Sequence, residues 1–211
     1  MAYSTIIFDL DDTLYPPTSH IWDLISDRIH TYMIEQVGIN PKNVSEVRNH
    51  YYKTYGTTLR GLFIHHDVDP RAYLDFVHDF PIVDQLQPDQ KLTTMLNALP
   101  YEKVIFTNSD FKHANRILNI LGIRDQFEKI VGIMDVFPYC KPMKEAFEIA
   151  FKKLGMKPGE CIFVDDSIRN LDQGNASGLF TVLPNAEQTN QAKPHATIRN
   201  LTDLPQVLPC K

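Results

Sequence analysis

Thr5-Ile6-Ile7-Phe8-Asp9-Leu10-Asp11-Asp12-Thr13-Leu14-Tyr15 is the stretch on which the reading of this chain turns. The apolar and β-branched run Thr5–Phe8 predicts a buried strand, and the residues after it place Asp9 and Asp11 two positions apart with Thr13 two further on. An ionised carboxylate at the end of a buried strand is costly without a partner. Two of them call for a cation, a helix N-terminus or a chemical task. In open α/β sheets the carboxyl ends of the strands are where ligands bind. Taken alone, an Asp-rich turn after a strand would read the same way.

At 211 residues with 43% apolar content, the chain can build one sizeable domain with a smaller insertion. The formal charge of -5 is mild and not gathered into one block, so neither nucleic acid nor a membrane surface is expected as a partner. There is no basic start followed by a long apolar run and no stretch of about 18 apolar residues. A soluble, cytoplasmic protein acting on small molecules is the expectation. Cys140, Cys161 and Cys210 show neither C-x-x-C nor metal-ligand spacing, which predicts free thiols.

Working outward, Pro16-Pro17 makes a stiff exit from the strand loop. Ser19 is a candidate cap for a helix that carries Trp22, Ile25, Ile29, Tyr32, Met33 and Val37 and stops at Gly38. A second helix opens at Pro41 and runs through Val44, Val47, Tyr51 and Tyr55 to Gly56; a third covers Arg71–Phe80. From there the pattern alternates: short apolar strands at Lys103–Phe106, Lys129–Ile133, Cys161–Val164 and Leu179–Leu183 are separated by helical segments. That alternation implies parallel βαβ units covered on both faces. The fold expected is therefore α/β, with a Rossmann-like parallel core at residues 1–15 and 88–211 and an all-helical insertion at 16–87. The tail has a polar stretch, Glu187–His195, whose composition leads one to expect mobility, and a closing element in which Thr202 is a candidate cap.

Three further strand ends carry polar groups. Thr107-Asn108-Ser109-Asp110 ends one strand as a helix begins, which suits either an anion site or a simple N-cap. In Cys140-Lys141-Pro142 the proline suits a first helical turn, leaving Lys141 at the end where the dipole disfavours a cation, unless it is merely solvated. Asp165-Asp166-Ser167, with Arg169 and Asn170 one turn on, pairs two adjacent carboxylates of a kind that suits Mg²⁺; alone they could be an ordinary helix cap.

Taken in order, FDLDDTLY, FTNS, CKP and VDDSIRN resemble the four motifs of the haloacid dehalogenase (HAD) superfamily of phosphohydrolases, over essentially the whole chain. The helical insertion after the first motif resembles the cap that covers the active site in one large branch. Within it, FDLDDTLYP, YGTTLRGL, FTNSD, CKP and DDSIRN are similar to the pyrimidine 5′-nucleotidase group.

The resemblance implies that Asp9 attacks phosphorus to form an aspartyl-phosphate and that Asp11 serves as general acid and then base, for which its pKa should lie above that of Asp9. It implies Mg²⁺ held by Asp9, the Asp11 backbone carbonyl and Asp166, with Asp165 bridged through water or exchanging roles with Asp166. Thr107, the N–H groups near Asn108, and Lys141 would bind the phosphoryl group. Asp12 would hydrogen-bond the loop or face solvent. An acid at Asp11 excludes the dehalogenases themselves, whose halide leaves without a proton. A phosphomutase or a phosphatase of another small phosphomonoester stays open, as does a catalytically silent metabolite-binding protein.

Specificity is expected in the insertion, at Tyr51-Tyr52-Lys53-Thr54-Tyr55-Gly56-Thr57-Thr58-Leu59-Arg60-Gly61-Leu62-Phe63, with rings for stacking on a base and Arg60 to read its edge. Tyr51 and Tyr55, at i and i+4, are expected to pack the insertion's own helices. His65 and His66 read as surface residues; Asp110, Lys112 and His113, just after the second motif, either face the substrate mouth or are solvated helix-start positions, the latter being the expectation. The substrate expected is a pyrimidine nucleoside 5′-monophosphate, and the assembly a monomer or homodimer.

Overall fold

A computed structural model of the chain describes residues 3–82, 85–185 and 194–209. Its first strand, β1 (Thr5–Phe8), is buried at every position, as an apolar run flanked by two neighbours should be. It is central in a parallel sheet completed by β2 (Glu102–Phe106), β3 (Lys129–Val131), β4 (Cys161–Val164), β5 (Phe180–Leu183) and β6 (Ala196–Thr197), in the order β3-β2-β1-β4-β5-β6. This is the Rossmann order, and it reverses direction at β1 and β4, where a crevice opens at the carboxyl ends. The registers Phe8↔Ile105 and Phe8↔Val164 bring Asp9 and Asp165, each one residue past a last paired position, to the same level.

Side chains alternate across the sheet. Ile6, Phe8, Ile105, Ile162 and Val164 enter one apolar cluster, while Ile7, Val104, Phe106 and Phe163 enter the other. The second face is covered by α8 (Lys144–Leu154) and α9 (Ile168–Ala176), through Phe147, Phe151 and Leu171. The first is covered by α5 (Gln90–Ala98) and α6 (Phe111–Ile120). A one-turn helix, α7 (Ile133–Val136), follows β3.

Between β1 and α5 the described residues are helical without a strand: α1 (Ile21–Glu35), α2 (Val44–Tyr55), α3 (Thr58–His66) and α4 (Pro70–Val77). Their buried side chains, Ile25, Ile29, Tyr51, Leu62 and Tyr73 among them, are continuous with the sheet's first cluster. No helix among the described residues is long and apolar enough to cross a membrane.

Several local expectations are corrected. Ser19 lies in a 3₁₀ turn, and the cap of α1 is His20, held at φ 59°. Pro41 precedes α2, which starts at Val44. Thr57 caps a helix of its own, α3, its hydroxyl accepting from Arg60 N at 3.2 Å. Helix α8 starts at Lys144, so Lys141 precedes it by a full turn and the Lys141–Pro142 bond is cis. Gly132 leaves the third strand, which ends at Val131. The last helical turn is capped by Asn200, not Thr202. Most of the polar stretch Glu187–His195, and Cys210, lie outside the described residues.

Candidate active site

At the crevice, β1 delivers Asp9 and β4 delivers Asp165, and both reach the same ammonium: Lys141 Nζ lies 2.7 Å from Asp9 Oδ1 and 2.7 Å from Asp165 Oδ2. Lys141 is 1% exposed and packs between the rings of Phe106 and Phe163. Burial by itself would lower its pKa, but the two carboxylates outweigh that and hold it charged, above the ordinary lysine value. The loop that carries it is fixed by Asn108, whose side-chain amide accepts from Lys141 N at 2.8 Å and donates to Lys141 O at 3.0 Å. The awkward lysine of the sequence is thus neither solvated nor at a helix start.

Asp165 is fully buried and fully engaged, accepting also from Ser167 N and from Asn170 Nδ2. Asp166 is exposed, and its backbone N–H donates to Thr13 Oγ1 at 3.1 Å. Carboxylate oxygens of Asp9, Asp165 and Asp166 lie within 4.8 Å of one another. Among the described residues one ammonium, Lys141, therefore faces three carboxylates. Removal from bulk water at the floor of the cleft is the larger cause and the neighbouring carboxylates add to it, so that Asp9 is raised well above the carboxylate range and Asp166, although its surface is open, to about 7. A hard divalent cation such as Mg²⁺ fits this set, in donor chemistry and in charge. Both oxygens of Asp165 are taken by short bonds to Lys141, Ser167 and Asn170, whereas among the described residues Asp9 Oδ2 and Asp166 Oδ1 meet only the Thr13 hydroxyl, at 3.3 and 3.4 Å.

Asp11 sits in a different setting. Tyr15 OH donates to its Oδ1 at 2.6 Å and Ser109 Oγ to its Oδ2 at 2.5 Å, and His113 Nε2 lies 2.9 Å from Oδ1. Burial would raise its pKa, but His113 and the two hydroxyl donors prevail and hold it below the usual carboxylate range. The expected order of the two acids is therefore reversed in this structure: Asp9 is raised and Asp11 lowered. The cause is largely tertiary, since two of the three partners, Ser109 and His113, come from 98 and 102 residues away. His113 is itself corrected from a solvated position to one that is 1% exposed. Asp110 is the cap of α6, accepting from His113 N at 2.7 Å, and Lys112 is exposed and pairs with Asp75. Asp12 takes a left-handed φ of 57°, its carbonyl accepts from Asn185, and burial with nearby Asp11 and Asp23 lifts its carboxyl to about 6.

Above these groups lies a cavity of about 520 Å³, lined on the sheet side by Asp9, Asp11, Thr107, Asn108, Lys141 and Asp166. On the helical side it is lined by Trp22, Ile25, Ile29, Arg48, Asn49, Tyr52, Leu59 and Tyr73. Thr107 Oγ1 accepts from Ser109 N at 3.0 Å, a tight turn at the end of β2. Arg60 is not among the lining residues: its Nε donates to Pro138 O at 2.8 Å, tying α3 to the loop before Lys141. The cationic side chain in the helical wall is Arg48, held by the Ser26 hydroxyl and by His30. Gly56 is required where this wall meets the Lys141 loop, because its φ is +90° and a Cβ would come within 2.8 Å of Cys140 Sγ. Tyr51 packs inside the helical segment as expected, its hydroxyl on His66, while Tyr55 OH meets His65.

A Rossmann-ordered sheet with its charged groups gathered at the switch point is the α/β architecture that binds ligands at the carboxyl ends of its strands. Residues 3–178 match the model of the haloacid dehalogenase-like hydrolases, and the chain belongs to that family. It is 29% identical over 198 residues to Phosphate metabolism protein 8 of Saccharomyces cerevisiae, which matches 86% of this chain, and the chain spans 61% of the length of that relative. It is 24% identical to Pyrophosphatase PpaX of Bacillus cereus, covering 99% of this chain and 97% of that one. Among solved structures, the magnesium-bound HAD-hydrolase YfnB of Bacillus subtilis shares the fold over 100% of both chains, with a TM-score of 0.63 at 17% identity.

Proposed function

We propose that this chain is a Mg²⁺-dependent phosphomonoesterase acting through an aspartyl-phosphate, with a nucleoside 5′-monophosphate, preferably a pyrimidine one, as substrate. The observation that carries the reading is the contrast between two carboxylates in one cavity: Asp9 beside Lys141, and Asp11 among three hydrogen-bonding side chains. Two environments for two acids is how one site divides nucleophile from acid–base work. The names of the relatives, one a pyrophosphatase and one tied to phosphate metabolism, support phosphate chemistry.

In this reading Asp9 Oδ attacks phosphorus while Lys141 holds its carboxylate in line and, with Thr107 and Asn108, neutralises the phosphoryl oxygens. The bond to the leaving oxygen breaks as Asp11 supplies that oxygen with a proton. An incoming phosphate dianion favours the protonated Asp11 by repelling its charge, offsetting the donors around it. Asp11, ionised again, then takes a proton from the water that hydrolyses the acyl phosphate. Asp9, Asp166 and the Asp11 carbonyl would hold Mg²⁺, which supplies further charge neutralisation. The helical segment, residues 16–87, acts as the cap; Trp22, 43% exposed, and the face of Tyr52 opposite the Arg169 guanidinium, which lies 4.8 Å from its ring centre, offer flat surfaces for a base, with Arg48 and Asn49 to read it.

Phosphate release is measured for UMP, CMP, AMP, GMP, sugar phosphates, pyrophosphate and p-nitrophenyl phosphate, with Mg²⁺ and with EDTA. Turnover of UMP or CMP well above the rest, lost in EDTA and in Asp9→Asn, is the expected result. Preference for another ester would overturn the substrate and keep the chemistry. No hydrolysis by folded protein in Mg²⁺ would sink the phosphatase reading in favour of a binding protein.

A further inference from the structure

His113 has more contacts than a helix needs. It stands in the first turn of α6, 1% exposed, with Nε2 on Asp11 Oδ1 at 2.9 Å, while its Nδ1 has no hydrogen-bond partner among the described residues. A buried polar atom left unsatisfied is destabilising, so an apolar side chain would fill this space at less cost if filling were the task.

The ring is also clamped from above. His78, the C-cap of α4, stacks on it with centroids 4.2 Å apart and planes 17° from parallel, and His78 Nδ1 lies 2.9 Å from Asp110 Oδ2. One turn further along α6, Arg116 donates to His78 O at 2.7 Å and to Phe80 O at 3.1 Å. The end of α4 is therefore fastened to α6 by several contacts, and the imidazole of His113 is the one member of that fastening that goes on to touch an acid in the cavity.

We propose that His113, held in place by the stacked ring of His78, is the positioning residue for Asp11: it sets the carboxylate's orientation toward the leaving-group oxygen and ties that orientation to the seating of the helical segment. The proposal rests on the phosphatase reading above, and it assigns to the helix end at His78 a task in acid–base geometry. Tyr15 and Ser109 contact Asp11 from its own loop and from the end of β2, so neither reports on the helical segment. His113, through His78, does.

The test compares His113→Gln, whose amide nitrogen stands about where Nε2 stands, with His113→Asn, which is one methylene shorter and cannot reach Asp11. Both are neutral amides, so they share the cost of losing the ring. Each is assayed on phenyl phosphate, whose leaving group needs a proton, and on p-nitrophenyl phosphate, whose leaving group departs without one. The expected result is that His113→Asn loses kcat/KM, which reports the step in which the leaving group departs, at least about tenfold more on phenyl phosphate than on p-nitrophenyl phosphate, within the roughly 10²–10⁴-fold that general acid catalysis supplies. His113→Gln recovers most of that difference, and KM moves little in either.

His78→Ala, which removes the stacked ring and leaves His113 intact, should shift the ratio in the same direction by less. Equal losses on both esters, or none, in variants with a wild-type unfolding transition would overturn the proposal. Should both His113 variants fail to fold, the ratio in His78→Ala decides it: an unchanged ratio refutes the coupling. A wild type that cleaves neither ester would instead bring down the phosphatase reading, and the proposal with it.

Discussion

The two walls of the cavity are built on opposite principles. The sheet wall is a lattice of short polar contacts: Asp9, Lys141, Asp165, Asn170, Asn108 and Asp11 are each held by partners from other parts of the chain, mostly at 2.5–3.0 Å. The helical wall is mostly apolar, with Ile25, Ile29, Leu59, Tyr73 and Leu74 around a single cationic side chain, Arg48, and with Trp22 and Tyr52 partly open to solvent. A wall of charges close together fixes reacting atoms and tolerates little change; a wall of apolar surface recognises a shape and can be re-cut. What the pair teaches is that chemistry and specificity in this molecule are open to separate attack.

The sharpest break is Asp9→Asn. It should abolish turnover of every ester, by roughly 10⁴-fold or more, while leaving the metal-free protein as stable as the wild type or more so, because one of three crowded carboxylates loses its charge. Phosphate release and a thermal melt in EDTA read the two effects. Lys141→Met attacks the same wall from the other side: it leaves Asp9 and Asp165 without their shared cation and should cost about 3–5 kcal/mol in urea unfolding. Partial recovery on adding Mg²⁺ is expected, since a cation would then face the same carboxylates. If the variant is as stable as the wild type without metal, the charged lattice is not what holds that wall.

On the helical wall, Arg48→Ala should raise KM for UMP about tenfold, as the loss of one charged hydrogen bond would, and change kcat/KM for p-nitrophenyl phosphate by much less. Equal effects on both would mean that Arg48 braces α1 against α2 and does not touch substrate.

The smallest effect lies where the walls join. Burial depresses the pKa of His78 below its ordinary value, against the pull of Asp110, with His113 adding to the depression. As pH falls, the unfolded chain therefore takes up this proton before the folded one, so stability is full above about 6.5 and declines below it, by at most about 1.4 kcal/mol per pH unit from this group. Urea midpoints at pH 7.5 and 5.5 should differ less in His78→Gln than in the wild type. Groups facing the ring from α6, namely Asp110, His113 and Arg116, are unchanged in that comparison.

The strands were legible because a buried parallel strand must be apolar on both faces, and runs such as Ile6-Ile7-Phe8 and Cys161-Ile162-Phe163-Val164 have no other use. Asp9, Thr107, Asp165 and Asp166 were legible for the converse reason: a charged or hydroxyl residue directly after such a run is placed at the carboxyl end of the sheet, whereas Lys141, ten residues after β3 and beyond α7, was read only from its sequence motif. Helix starts were read less well, because the caps at His20, Thr57 and Asn200 depend on backbone angles that several residue types can adopt.

What the sequence by itself determined, then, is the alternation of strand and helix and the polar residue at each strand end, since both follow from local patterns of burial. Only the tertiary structure decided which of these groups meet. It gave Lys141 two carboxylates 132 and 24 residues away, moved Arg60 onto a backbone carbonyl and Arg48 into the cavity, and turned His113 inward onto Asp11. The physical reason is the range of the forces involved. Apolar periodicity is a property of neighbours along the chain, whereas a buried charge takes its partner, its pKa and its task from whatever the fold brings within about 3 Å.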